Sequence, residues 1–302
     1  MEAILSLDKV RKSYHKHLAV DNISFDMPKG SIFGLLGPNG AGKTSLIRII
    51  TTITQADSGQ VYIDGEKLNF DHPKDIGYMP EERGLYKKMK VGEQLMYLAQ
   101  LKGMEKGAAK AAIKEWMIKF QIEDWWNKKI EELSKGMQQK IQFIATVMHR
   151  PKLLILDEPF SGLDPINTNL IKDEIYQLRE SGSSVIFSTH RMEQVEEICE
   201  RIVLVSQGKK ILEGDVDQIK NDFKENIYKI EFEGNLPEDI SGHFKVLSDT
   251  DKELLIKADE DASPNLLLKE IMDRGFVIKS FNEVLPSLNE IFIKQVEGKS
   301  NE

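Results

Sequence analysis

The segment that constrains this chain most is Gly37 to Ser45, GPNGAGKTS, which follows the apolar run Ser31–Leu36 and precedes the apolar stretch Leu46–Ile50. It fits G-x-x-x-x-G-K-[ST], with Gly37, Gly42, Lys43 and Thr44 in their places, and the flanking runs supply the strand and the helix that such a loop must join. Glycines let successive N–H groups turn inward around phosphate oxygens. Lys43 can reach β- and γ-phosphates, and the Thr44 hydroxyl can sit on Mg²⁺. A triphosphate cradle built from Pro38, Asn39, Gly40, Ala41, Gly42, Lys43, Thr44 and Ser45 is the first expectation.

The 302 residues allow one large core and a second, smaller domain. With 40% hydrophobic and 30% charged residues, the composition is that of a soluble globular protein. No run approaches the length of a membrane span, and the first residues, MEAILSLDKVRKSY, interrupt any signal-like apolar segment with charge. A cytoplasmic protein able to dock on a membrane partner is expected. Cys199 is the single cysteine, which excludes an intrachain disulfide and a thiolate zinc site and reads as a buried thiol. The net charge of −8 sits beyond residue 224, where 17 acidic side chains face 9 basic ones. That excess repels a phosphate backbone, so no nucleic-acid partner is expected.

Alternation over residues 4–10 and 20–27, around a polar turn at Tyr14 to His17, predicts paired edge strands, and QVYIDG extends them into a small antiparallel layer. Tyr14, near Val20, reads either as surface packing or as a ring on which a base can stack. After the strand IGYM and a polar loop, Val91–Met104 and Ala108–Phe120 carry helical spacing, which predicts a helical insertion over about residues 88–150. Trp116, Trp125 and Trp126 read as packing or partner contacts, and Lys87, Lys88 and Lys90 as a solvated or docking surface. Ser134 is an N-cap candidate for the helix that follows it. LLILDEP reads as a central parallel strand ending in Asp157 and Glu158, and strand periodicity sends those two carboxylates to opposite sides.

Residues 168–179 read as a helix, SVIFST as another parallel strand with His190 just past it, and Met192–Cys199 as a helix. RIVLVSQGKKILEG is a hairpin turning at Gly208. This alternation marks an α/β core ending near residue 220. From 225 to 302 three strands, a helix capped by Ser263 with Pro264 at its first position, a strand and a last helix predict a small α+β domain of ferredoxin-like character. No catalytic or metal-ligand constellation stands out in it. The run Asp259, Glu260, Asp261 reads as a solvated helix approach, and GKSNE as a polar tail.

Taken together, residues 1 to about 220 resemble the ATP-binding subunits of ABC transporters, and the C-terminal part resembles the accessory domain of the branch that includes sodium-exporter and antibiotic-exporter ATPases. The resemblance implies an ABC-type P-loop ATPase with an antiparallel β-subdomain and a helical insertion. It makes Gly37–Thr44 the Walker A loop, Leu133–Met137 the signature, Asp157 the Walker B aspartate, Glu158 the catalytic glutamate, Ser161–Asp164 the D-loop and His190 the switch histidine. Two departures stand out. The signature reads LSKGM where LSGGQ is usual, keeping Ser134 and Gly136, and Glu81 takes the place of the Q-loop glutamine.

The implied reaction is ATP hydrolysis with Mg²⁺, held by Thr44 and Asp157 and approached by Glu81. The implied setting is a homodimer or heterodimer on a multi-span membrane permease at the cytoplasmic face, exporting an ion, drug or lipid. The alternatives are a soluble ABC-type ATPase acting on ribosomes or nucleic acid, and a nucleotide sensor that does not hydrolyse.

Overall fold

The structure, a computed structural model, describes residues 2–15, 17–82, 84–233, 244–250, 252–259, 263–273 and 277–297. Glu260 and Asp261 of the acidic run and the tail 298–302 lie outside the described residues. The chain divides into two compact units, residues 1–216 and 217–302.

Strands β1 (Ala3–Tyr14) and β2 (His17–Pro28) pair antiparallel as far as Tyr14 opposite His17. They run further than their apolar alternation indicates because Asp57 grips the polar end of β1. Its carboxylate accepts from Lys12 Nζ and from the Ser13 N–H, each at 2.7 Å. That fixed acceptor keeps Lys12 and Ser13 extended, and the strands meet at Tyr14 and His17, the two ends of the turn that the sequence predicts. Strand β3 (Ile32–Leu36) and helix α1 (Lys43–Ile50) flank the glycine loop, and β4 (Ser58–Ile63) and β5 (Glu66–Lys67) complete an outer sheet ordered β2-β1-β4-β5.

Strand β6 (Ile76–Met79) leads to the helical insertion, α2 (Val91–Leu101), α3 (Lys106–Lys119) and α4 (Lys135–Val147). Two of its tryptophans are packing residues. Trp116 lies against the Phe120 and Phe143 rings, and Trp126 covers Gly92, where an added Cβ would stand 2.4 Å from the indole.

The remaining elements of this unit are β7 (Leu153–Asp157), α5 (Pro165–Glu180), β8 (Ser184–Thr189), α6 (Met192–Ile198), β9 (Arg201–Ser206) and β10 (Lys209–Asp215). The main sheet is ordered β10-β9-β3-β8-β7-β6, parallel except for the edge strand β10. Strands β3, β7 and β8 are buried at every position, which is why their sequences are continuous apolar runs rather than alternating ones. Their carboxyl ends lie side by side: the glycine loop follows β3, Asp157 ends β7 with Glu158 after it, and His190 follows β8.

The second unit begins within α7 (Val216–Asp222) and continues through β11 (Ile227–Glu233), β12 (Phe244–Thr250), β13 (Glu253–Ala258), α8 (Pro264–Asp273), β14 (Val277–Val284) and α9 (Leu288–Glu297). Its antiparallel sheet is ordered β12-β13-β11-β14, the strand order of ferredoxin-like domains. One face buries Tyr228, Ile230, Leu254 and Ile256 against Leu267 and Ile271 of α8. The other face is laced by Lys229 with Glu253 and by Lys257 with Glu225. The period-two alternation of β11 and β13 is the direct cause of that division.

Candidate functional site

Two glycines shape the loop. Gly37 has φ +148° and Gly42 φ +107°, and an added Cβ would stand 2.1 Å from the Val205 carbonyl oxygen at the first and 2.2 Å from that of Ala19 at the second. Any side chain there meets backbone in a conformation already strained for an L residue. The hairpin turn at Gly208 braces the loop from outside, its N–H donating to the Ala41 carbonyl at 2.9 Å and its carbonyl accepting from the Asp21 N–H at 2.8 Å. Lys43 opens α1 almost buried and donates to the carbonyls of Gly37 at 2.6 Å and Pro38 at 3.2 Å. Burial pulls its ammonium pKa below the ordinary lysine value, against the opposing pull of Asp157, Glu158 and Glu81.

The two carboxylates after β7 are read by two hydroxyls at the end of β8. Ser188 Oγ donates to Asp157 Oδ1 at 2.8 Å. Burial pushes the Asp157 carboxyl above the usual carboxylate range; the Ser188 hydrogen bond opposes this, Glu158 and Glu81 add to it, and Lys43 opposes it too. Glu158 accepts from Thr189 Oγ1 at 3.1 Å and from the His190 N–H at 2.9 Å, and its Oε1 lies 2.7 Å from His190 Nδ1.

The expectation that Asp157 and Glu158 face opposite sides is corrected here. β7 ends at Asp157, and Glu158 has a left-handed backbone with φ +52°, so the strand period stops one residue too early to separate them. Both line one cavity of about 230 Å³.

That cavity brings together Tyr14, residues 39–45, Glu81, Asp157, Glu158 and His190 from five distant stretches of the chain. His17 and Ala19 also line it, and sequence reasoning missed them. The available signal was the alternation of β2, which puts 17 and 19 on one face once Tyr14 is assigned to the site. Val20 does not line the cavity, being fully buried in the core on the other side of β2. Pro38 supplies a carbonyl to Lys43 rather than a wall. Ser134, Gly136 and Asp164 lie elsewhere as well. Ser134 caps α4 by accepting from the Met137 N–H at 3.3 Å, and Asp164 caps α5 by accepting from the Asn167 N–H at 2.9 Å and its Nδ2 at 2.6 Å. Gly136 sits beside the loop before α5, where an added Cβ would be 3.5 Å from the Gly162 carbonyl oxygen. Cys199 is a buried free thiol whose pKa burial pushes up.

Comparison with known proteins gives this geometry its context. The profile of the ABC transporter family matches residues 20–161, and that of the C-terminal domain of DrrA1-3-like ATP-binding proteins matches residues 214–296. The uncharacterized ABC transporter ATP-binding protein YhaQ of Bacillus subtilis (strain 168) is 45% identical over 296 residues, covering 97% of this chain and 98% of its own. This chain belongs to the ABC transporter ATP-binding proteins. The linearmycin resistance ATP-binding protein LnrL of the same organism is 38% identical over 70% of this chain and 69% of its own. A solved ATP-binding subunit of an ABC transporter superposes with a TM-score of 0.69 at 26% identity, over 73% of this chain and 93% of that one.

As a member of this family the chain is an ATPase whose nucleotide hydrolysis drives transport, and such subunits work with membrane permease components. Among the described residues no helix is long and apolar enough to cross a membrane.

Proposed function

We propose that the cavity at the ends of β3, β7 and β8 is one half of a composite Mg-ATP site, and that its turnover drives export by a multi-span permease at the cytoplasmic face of the membrane. The observation that carries this reading is the convergence of Lys43, Asp157, Glu158 and His190 on one cavity from separate strand ends. The reaction is ATP + H₂O → ADP + phosphate. Loop N–H groups and Lys43 bind the β- and γ-phosphates, and Tyr14 offers its ring to the base. Glu158 accepts the proton of the attacking water, and His190 holds Glu158 and meets the γ-phosphate.

The donor set fits magnesium. Thr44 and Asp157, a hydroxyl and a carboxylate on one cavity, are the hard oxygen donors that such an ion takes beside water and phosphate oxygens. Thr44 and Asp157 would hold it, with Glu81 reaching it through water, and the bound ion would neutralise charge on the phosphates.

The second half of the site comes from another ATP-binding subunit, in a homodimer or heterodimer. Ser134, Gly136 and Asp164 lie outside the cavity, which leaves them for the site of a second subunit, and Ile166, in the first turn of α5 beside Asp164, is 82% exposed. The permease fits a separate groove of about 650 Å³ lined by Ile53, Leu85 and Leu98, with Phe70 and Leu101 at its rim 77% and 62% exposed. The name of LnrL, a resistance protein, supports export as the direction. Residues 225–302 form an accessory domain in this reading, following the ATP-binding domain 1–220.

Purification after gentle membrane extraction should yield a stoichiometric multi-span protein with this chain, and Glu158→Gln should bind ATP normally while single-turnover hydrolysis falls by about 100-fold or more. Hydrolysis at the wild-type rate in that variant removes Glu158 from the mechanism.

A further inference from the structure

Adjacent hydroxyls on β8 divide adjacent carboxylates between them, Ser188 taking Asp157 and Thr189 taking Glu158. The two contacts differ in what they must do. Asp157 closes β7 and is paired in register with Ser188, so its backbone is already fixed by the sheet. Glu158 has turned out of the strand in a left-handed conformation, its N–H still donating to the Ser188 carbonyl at 2.9 Å, and its carboxylate is oriented by the groups it meets. Three contacts are present there. Oε1 meets the His190 N–H and Nδ1, and Oε2 meets Thr189 Oγ1.

These contacts are unequal. The His190 side chain is 49% exposed, and in the mechanism above its ring also meets the γ-phosphate. Thr189 is fully buried and paired with Leu36, the last residue of the strand that leads into the phosphate loop. Its proton direction is fixed as well. Thr189 Oγ1 accepts from the Arg191 N–H at 3.1 Å, and an ionised carboxylate has no proton to give, so the hydroxyl proton points at Glu158 Oε2.

We infer that Thr189 is a positioning residue for ATP hydrolysis: it pins Oε2 of Glu158 to the end of the sheet, so that Oε1, beside the His190 N–H, is the oxygen turned to the attacking water. This rests on the role of Glu158 proposed above. A hydrogen bond from a neutral hydroxyl to a charged carboxylate is strong enough to matter at the level of tenfold in rate.

The test uses the full chain in its purified membrane assembly. Thr189→Val keeps the branched shape and removes the proton. It should lower the single-turnover hydrolysis rate by about tenfold or more, with ATP affinity within about twofold of wild type, and Thr189→Ser should restore the rate to within about threefold. In the Glu158→Gln background Thr189→Val should cost nothing further, because the oxygen it orients no longer acts as a base. Wild-type turnover in Thr189→Val overturns the inference. So does a rate loss accompanied by lost affinity or lower unfolding temperature that Thr189→Ser does not restore, or a full additional loss in the Glu158→Gln background. If Glu158→Gln itself hydrolyses at the wild-type rate, the general-base reading fails first; if Glu158→Gln is slow and Thr189→Val is not, only the role of Thr189 fails.

Discussion

Lys43 and Lys229 carry the same ammonium, and the fold moves them in opposite directions. Burial pulls Lys43 down, whereas a hydrogen bond to Glu253 holds Lys229 up. The carboxylates repeat the contrast. Asp157 is pushed up by burial, and Glu233 is held down by its hydrogen bond to Lys279. In the C-terminal unit these charges sit in water beside opposite ones, so ionisation agrees with the fold. At the ends of β3, β7 and β8, charges of both signs are desolvated together, so ionisation opposes it. The difference separates a surface that keeps a sheet soluble from a site that needs something else to complete it. On the function proposed above, a triphosphate would supply the anion that Lys43 lacks and a magnesium ion the cation that Asp157 lacks.

The strongest test of that contrast is Lys43→Ala. It should cut kcat/KM for ATP by about 100-fold or more while leaving the unfolding temperature no lower, since the ammonium removed is one that burial disfavours. A large fall in unfolding temperature with ATP affinity intact would place Lys43 among structural residues. The reverse pattern is expected for Ile256→Ala in the C-terminal core. There the loss should be about 2–5 kcal/mol in the unfolding transition of the second unit, read by denaturant titration, with ATP turnover preserved. Collapse of turnover in parallel would break the division between the two units.

The smallest effect is expected from pH. His149 lies in the first unit, and burial, with the Lys102 ammonium next in size, pushes its imidazole down to about 4 from the ordinary 6.5. The native state keeps it neutral while the unfolded chain takes up a proton below pH 6.5. Stability of the first unit is therefore full above that value and falls as pH drops toward 4, by about 2 kcal/mol at pH 5. His149→Asn should abolish that slope in unfolding measured at pH 7.5 and pH 5. The second unit should not respond until lower pH, because the contribution of a depressed carboxylate such as Glu233 is lost only as pH falls from its unfolded value of 4.5 through its folded one.

Local signals carried much of this architecture. Continuous apolar runs gave β3, β7 and β8, alternation gave β11 and β13, and Ser134 and Ser263 mark helix starts where their hydroxyls accept N–H bonds. What those signals missed has two causes, a left-handed residue directly after β7 and contact at long range. The polar end of β1 stays extended because of Asp57, 45 residues beyond the Lys12 it accepts from. The hydroxyls that read Asp157 and Glu158 are 31 residues downstream of them. No periodicity spans such separations.

The loop from Gly37 to Ser45 was determined by sequence, because its function is a backbone path and only glycine at 37 and 42 can follow it. The order of elements in both units was determined likewise, by apolar spacing. What only the tertiary structure decided is that Asp157 and Glu158 share one cavity, that Ser188 donates to the first and Thr189 to the second, and that Ser134, Gly136 and Asp164 stand outside it. Those facts depend on a single left-handed residue after β7 and on strands paired across the sheet, and neither a dihedral nor a register is written in the order of side chains.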